Sequence, residues 1–315
     1  MKAIETQGLT KKFGKLVAVD NLDLAVEEGE SFAFLGPNGA GKTTTIKMLI
    51  GLLRPTGGIV RILGHDIFRE GEEVKKSFGF VPDFYSFYDS LTALENLEFF
   101  AALSKIPKEK RKERIFELFE FFGLKGRANS KVGEFSHGMK QRLVIAQALL
   151  SRPRLLIFDE PTVGLDPRAQ FEIRELIKKI CQEGVTAFIS SHLLFEVEDM
   201  CSRVAIINLG RLIKVDSIEG LKSEIGAKTG IEVRIECEEV SQEIVKAVKK
   251  VDGLLDFRVE GTTIWARAKS SAITPALTTQ IVNAGGRIKA VEEQTPSLEE
   301  VFLKLTESQG GRDDL

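Results

Sequence analysis

The sequence is poor in cysteine, in net charge of either sign and in long apolar runs. Its three cysteines, Cys181, Cys201 and Cys237, are widely spaced, odd in number and without a CxxC pair. Neither a disulfide framework nor a zinc site fits that pattern, whereas a reducing compartment does. Lys and Arg total 44 against 46 Asp and Glu, a formal charge of −2. Divided at residue 225, the first part carries +1 (32 basic, 31 acidic) and the rest −3 (12 basic, 15 acidic). Neither part has the basic excess of a chain whose main partner is nucleic acid. No stretch approaches the ~18 consecutive apolar residues that a membrane helix needs. The longest apolar strings, such as residues 155–158, are strand-sized. The opening MKAIETQGLTKKFGK has no apolar run either, which argues against a secretory signal. Heptads, internal repeats and low-complexity tracts are also missing.

What is present is core-forming material: 43% hydrophobic residues over 315 positions, with 21 Phe. That length suits one large α/β domain and a smaller companion. Residues 1–30 alternate short β-like runs with turns, and 31–35 form an apolar strand running into a glycine-rich loop. A helix leaves that loop over 43–53. Residues 84–150 are helical in texture, with Thr92-Ala93-Leu94-Glu95 a capping box. Strand-like 155–158 and 186–190 then alternate with helices, the pattern of a parallel sheet. Residues 204–216 read as a closing hairpin with its turn at Asn208-Leu209-Gly210.

Beyond about residue 226 the order becomes β-α-β-β-α-β, a ferredoxin-like arrangement. A last helix starts at Ser297, with Glu300 three residues on. The expected organisation is therefore a domain over 1–220, a linker at 221–229, an accessory domain over 230–306 and a flexible tail at 307–315.

The main chemical signal is Gly36-Pro37-Asn38-Gly39-Ala40-Gly41-Lys42-Thr43-Thr44. It satisfies GxxxxGK[ST] with a strand before it and a helix after it, the context that a phosphate-binding loop requires. Glycines let backbone N–H groups converge on phosphate oxygens, and the helix N-terminus favours negative charge. Lys42 can reach the β- and γ-phosphates, and Thr43 offers a hydroxyl to Mg²⁺. Two other strands also end in polar chemistry, at Asp159-Glu160-Pro161 and at Ser190-Ser191-His192. Ligands of open parallel sheets bind beyond the carboxyl ends of the strands, so these groups are expected on one edge. Alone, Asp159-Glu160 would be a solvated strand end and His192 a helix cap. Beside a phosphate loop, Asp159 suits a Mg²⁺ ligand, Glu160 a base that polarises water, and His192 a contact to the γ-phosphate.

A second helix N-terminus follows Ser136, within Phe135-Ser136-His137-Gly138-Met139 and 23 residues before Asp159. With these segments, residues 2–220 resemble an ABC transporter ATP-binding subunit. GPNGAGKT (36–43), FSHGM (135–139), LLIFDEP (155–161), GLD (164–166) and SSH (190–192) occur in the family's order and spacing. The resemblance implies an ABC cassette of the P-loop NTPase fold. Its parts are a RecA-like core, an antiparallel β subdomain and a helical subdomain over about 84–150. ATP and Mg²⁺ are the implied cofactors. It also implies that two copies pack head to tail, Ser136 and Gly138 of one meeting the γ-phosphate held by the other, with Asp166 coupling the two sites. Phe13 stands where the family stacks an aromatic on adenine, although a plain core Phe fits the residue as well.

This sequence departs from the family pattern at three points. Asp83 takes the position of a usual glutamine, with shorter reach and an extra charge, and remains able to bind Mg²⁺ or water. His137 and Met139 replace a glycine and a glutamine. The run Phe84-Tyr85-Ser86-Phe87-Tyr88 either receives a helix of a membrane subunit or fills the helical subdomain's own core. The basic run 105–114 reads as a solvated helix face. The C-terminal unit, closing on PSLEEVF, resembles the extension of ABC-2-type exporter ATPases. It serves either dimer stabilisation and regulation or ligand sensing. The implied whole is a homodimeric ATPase on the cytoplasmic face of a separate polytopic permease, with no nucleic-acid partner. An importer ATPase and a non-transport ABC ATPase are the alternatives.

Overall fold

The computed structural model describes residues 1–84, 87–294 and 297–310. The chain divides into two compact units, Met1–Asp216 and Ser217–Leu315.

The first unit is built on a six-stranded sheet. Its order is Arg211–Ser217, Arg203–Asn208, Ser31–Leu35, Thr186–Ser191, Leu155–Asp159 and Phe78–Val81. The five strands from Arg203–Asn208 to Phe78–Val81 run parallel. Alternation along each strand sends side chains to both faces, and both faces are covered. Leu155 and Ile157 join one core with Phe32, Phe34 and Phe188. Leu156 and Phe158 join the other with Leu143, Ile173 and Ile177, from helices on that side. Every residue of Leu155–Asp159 is buried, which accounts for the unbroken apolar run over 155–158. A four-stranded antiparallel sheet, whose Ile4, Leu24 and Ile62 enter the first of these cores, completes the unit.

That second sheet corrects the expectation for residues 1–30. In place of several short runs there are two twelve-residue strands, Lys2–Phe13 and Leu16–Glu27. The apparent breaks are register shifts within one ladder. Gly8 (φ 58) and Asn21 (φ 49) take left-handed backbone there, so turn-type residues mark bulges and not chain reversals.

The helical subdomain contains Ala93–Leu103, Lys108–Phe121 and His137–Ala148. Both arms of the expected capping box form: Thr92 Oγ1 accepts from Glu95 N at 3.1 Å, and Thr92 N donates to Glu95 Oε2 at 2.8 Å. The basic run is not wholly a solvated face. Arg114 Nη2 donates to Leu149 O at 2.6 Å and so serves a carbonyl at the C-terminus of the helix that follows Ser136.

The second unit pairs Leu254–Glu260, Thr263–Ala268, Ile231–Cys237 and Ile288–Gln294, in that order, all antiparallel. Helices Gln242–Val248 and Thr274–Asn283 bury Ile244, Val248, Leu277 and Ile281 against one face. This is the ferredoxin-like arrangement. The expected linker at 221–229 is instead part of the helix Ile218–Thr229. Ser217 Oγ caps it by accepting from Gly220 N at 3.0 Å, and it packs on the last helix, Leu298–Gly310. The division between units accordingly falls at Asp216, before that helix. The last helix also runs through 307–310, which were expected in the tail, while 311–315 lie outside the described residues. Among the described residues no helix is long and apolar enough to cross a membrane.

Candidate active site

Three parallel strands end together: Asp159 lies opposite Ser190, and Leu35 opposite Ser191. The loop after Leu35 therefore starts beside both polar strand ends. Its turns demand glycine. A Cβ on Gly36 would stand 2.5 Å from Ile207 O, and Gly41 combines φ +104 with a Cβ position 2.6 Å from Ala18 O. Gly41 is also the N-cap of helix Lys42–Leu49 and supplies no side-chain cap, so the first N–H groups of that helix face the loop.

A cavity of ≈ 580 Å³ opens over this loop. Of the residues singled out in the sequence, Phe13, Pro37, Asn38, Gly39, Gly41, Lys42, Thr43, Thr44, Asp83 and Glu160 line it. Gly36 and Ala40 build the loop behind that wall: Ala40 N donates to Pro37 O at 3.2 Å. Phe13, 49% exposed, offers a ring face, with Lys11 Nζ 5.1 Å from its centroid. It is therefore no core phenylalanine.

Lys42 is almost fully buried. Its Nζ donates to Gly36 O at 2.6 Å and pairs with Glu160 Oε1 at 3.2 Å. The other oxygen, Glu160 Oε2, lies 2.9 Å from His192 Nδ1. Glu160 thus bridges the loop lysine and the histidine. Its backbone has φ +50, unusual for a residue with a side chain. Asp159, 5% exposed, has its carboxyl pushed above the usual range by burial; the Ser190 hydroxyl opposes that, the Glu160 charge adds to it, and the Thr43 hydroxyl and Lys42 charge oppose it. Burial, and then the charges of Asp159 and Glu160, likewise raise the Asp83 carboxyl.

One hydroxyl escaped the sequence reading. Ser190 Oγ donates to Asp159 Oδ1 at 2.7 Å and accepts from Glu160 N at 3.1 Å, so it holds both acidic residues. The signal lay in the parallel pairing of the two strands, which a serine next to a histidine does not announce. Leu16, Val17, Ala18, Leu209 and Gly210 were missed as well, although they line the cavity. They belong to the first antiparallel hairpin and to the turn expected at 208–210, segments with no chemical motif.

Ser136, Gly138 and Asp166 do not line this cavity; they lie near one another elsewhere on the unit. Ser136 Oγ caps its helix by accepting from Met139 N at 3.3 Å. Asp166 Oδ1 caps Pro167–Gln182 by accepting from Ala169 N at 2.9 Å. A Cβ on Gly138 would approach Ala169 Cβ to 3.1 Å, and one on Gly164 the His137 ring to 3.5 Å. In the aromatic run Phe87 packs on the helical core, whereas Phe84 is 89% and Tyr88 51% exposed. Phe87 therefore follows the core reading, Phe84 and Tyr88 are open to solvent, and Tyr85 and Ser86 lie outside the described residues.

A phosphate loop on a parallel sheet, with an acidic pair and a histidine at neighbouring strand ends, defines a P-loop nucleotide-binding protein. The comparisons narrow this. Residues 19–163 match the ABC transporter family model, and 217–306 match the C-terminal domain of DrrA1-3-like ATP-binding proteins. The linearmycin resistance ATP-binding protein LnrL of Bacillus subtilis (strain 168) is 33% identical over 306 residues, 96% of this chain and 98% of that protein. The bacitracin transport ATP-binding protein BcrA of Bacillus licheniformis is 43% identical over 220 residues, 70% of this chain and 71% of that protein. Among solved structures, an ABC transporter ATP-binding subunit superposes with TM-score 0.64 at 31% identity, covering 71% of this chain and 93% of its own. A dimeric post-hydrolysis cassette bound to ADP and Pi gives TM-score 0.61 at 28% identity, over 68% and 98%. The chain belongs to the ABC transporter ATP-binding proteins, a family of nucleotide-binding ATPases.

Proposed function

We propose that this chain is the ATP-hydrolysing subunit of an ABC-2-type exporter, working as a head-to-tail homodimer on a separate polytopic membrane protein. The observation that carries the catalytic part is Glu160, which spans Lys42 and His192 at the mouth of the phosphate loop. In this proposal Lys42 turns from the loop carbonyls to the β- and γ-phosphates, and the N–H groups of 39–44 enclose them. Phe13 stacks on the adenine. Glu160 accepts a proton from the attacking water, and His192, oriented through Nδ1, contacts the γ-phosphate. Ser136, Gly138 and Asp166 act on the nucleotide of the opposite copy.

Thr43, Asp159 and Asp83 suit Mg²⁺ as hard oxygen donors. Among the described residues no three His, Cys, Asp or Glu side chains form a self-sufficient metal cluster. Bound there, Mg²⁺ supplies charge neutralisation of the phosphates.

Names among the relatives, linearmycin resistance, bacitracin transport and Nod factor export, support the export reading. The exposed Phe84 and Tyr88, with Phe99 edge-on to Tyr88 at 5.3 Å, offer an aromatic surface for a helix of the membrane subunit. The chain then sits peripherally on the cytoplasmic face of that subunit.

Glu160→Gln tests the chemistry. Turnover of Mg·ATP by the purified chain is expected to fall by roughly 10²-fold or more while ATP binding persists. Wild-type turnover in the variant would remove Glu160 from the base role.

A further inference from the structure

Glu196 has no part in the scheme above, yet it is fully buried. It lies in the first turn of helix Leu194–Met200, four residues beyond His192. A buried carboxylate is costly unless it is partnered. Its Oε2 accepts from Thr162 Oγ1 at 2.5 Å, and Arg174 Nη1 stands 4.0 Å from Oε1. Thr162 is 1% exposed, two residues beyond Glu160. The Thr162 carbonyl accepts from Leu165 N at 3.3 Å and from Gln170 Nε2 at 3.4 Å. Three segments therefore meet at Thr162: the strand end with Asp159 and Glu160, the helix after His192, and the helix that Asp166 caps.

The Glu160 backbone explains why an anchor is needed there. Its φ of +50 is unfavourable for a residue with a Cβ. Such a conformation persists only where the surroundings fix the chain on both sides. On the N-terminal side, Glu160 N donates to Ser190 Oγ at 3.1 Å and to Ser190 O at 3.2 Å. On the C-terminal side the first side-chain tie is the bond between Thr162 and Glu196.

We propose that Glu196 is a positioning residue for hydrolysis. By accepting the Thr162 bond it clamps the chain beyond Glu160 to the helix that follows His192, and so preserves the 2.9 Å contact between Glu160 and His192. The clamp closes a ring. Chain links Glu160 to Thr162, a hydrogen bond links Thr162 to Glu196, the helix start and its N-cap Leu193 lead back to His192, and the imidazole returns to Glu160. Electrostatics agree with this proximity: burial raises the Glu196 carboxyl, Thr162 and Arg174 oppose that, and the charges of Glu160 and His192 both act on it. The inference rests on the assignment of Glu160 and His192 to hydrolysis.

The test compares Thr162→Val, Thr162→Ser, Glu196→Gln and Glu196→Ala in the full chain, by steady-state ATP hydrolysis and by equilibrium binding of a fluorescent ATP analogue. Thr162→Val and Glu196→Ala are expected to lower kcat by about tenfold, since small misplacements of reacting groups are expensive. KM and analogue affinity should stay within about twofold of the wild type. Thr162→Ser and Glu196→Gln keep a donor and an acceptor and should recover most of kcat. The double variant Thr162→Val with Glu196→Ala should be no slower than the worse single variant, because both remove one bond. Wild-type kcat in Thr162→Val, multiplicative losses in the double variant, or equal losses of kcat and nucleotide affinity would overturn the proposal. Should Glu196→Ala fail to fold, the threonine pair decides: a serine variant as slow as the valine variant also overturns it. Glu160→Gln in the same assay stands apart, because its turning over like wild type sinks the parent assignment and not the clamp.

Discussion

Asp159 shows at residue scale how the site trades stability for chemistry. Its carboxyl is raised chiefly by burial, with the Ser190 hydroxyl only partly offsetting it. The native state therefore binds this proton more tightly than the unfolded chain does. Stability falls as pH rises from the unfolded carboxylate value through the raised native one. Asp159→Asn keeps an oxygen for the Ser190 hydroxyl and deletes the buried charge. In chelator and at pH 7 its thermal midpoint should exceed the wild type's by about 2–4 °C, the response to roughly 1 kcal/mol in a domain of this size. The gain should shrink as pH falls into the ordinary carboxylate range, while Mg²⁺-supported turnover is lost. A midpoint unchanged at pH 7 would mean that Thr43 and Lys42 already compensate the charge. Residues such as Asp159 and Lys42 were legible because their chemistry is carried by the motif itself. Ser190 and Glu196 were not, because their roles depend on what lies opposite them after folding.

Elements were legible where the start signal is local. Thr92 and Glu95 form both arms of a capping box, and helix Ala93–Leu103 begins where those residues imply. Thr92→Ala removes the acceptor for Glu95 N at 3.1 Å and should cost about 1 kcal/mol. Denaturant unfolding would register this as a lower midpoint with an unchanged slope, and the folded fraction should hydrolyse ATP at the wild-type rate. A matching loss of activity would mean that the helical subdomain communicates with the site through this helix. Helix Ile218–Thr229 was missed although Ser217 caps it through its hydroxyl, without the second arm of a capping box. Gly220 and Gly226 within it and Gly230 at its C-cap made its sequence look like a connection. Its partner, helix Leu298–Gly310, is remote in the chain, so local propensity carried no information about the packing that supports it. The first antiparallel sheet failed for a related reason. Bulges at Gly8 and Asn21 carry turn residues within strands, and only pairing distinguishes the two.

At the scale of the whole molecule, the chain separates two halves of one chemistry. The cavity over the phosphate loop is lined by Lys42, Asp83 and Glu160, but not by Ser136, Gly138 or Asp166. Those three sit at two capped helix starts, where Gly138 and Ala169 approach closely and leave no room for a larger side chain between them. In the proposed head-to-tail dimer the helix start after Ser136, which does not line its own chain's cavity, acts on the phosphate held by the second copy. Association should therefore require nucleotide and should last only while the γ-phosphate is intact. Glu160→Gln, by slowing hydrolysis, is expected to accumulate the dimer with Mg·ATP and to remain monomeric with Mg·ADP, as read by light scattering on a sizing column. Adding Ser136→Ala to that background removes a cap worth about 1 kcal/mol within one chain. That loss is the same in monomer and dimer, so what the dimer alone loses is the phosphate contact that each of its two hydroxyls would make. The doubly substituted chain should elute as a monomer even with ATP, with its ATP affinity as a monomer unchanged. A dimer that forms equally with ADP, or survives Ser136→Ala, would place the contact surface elsewhere on the molecule.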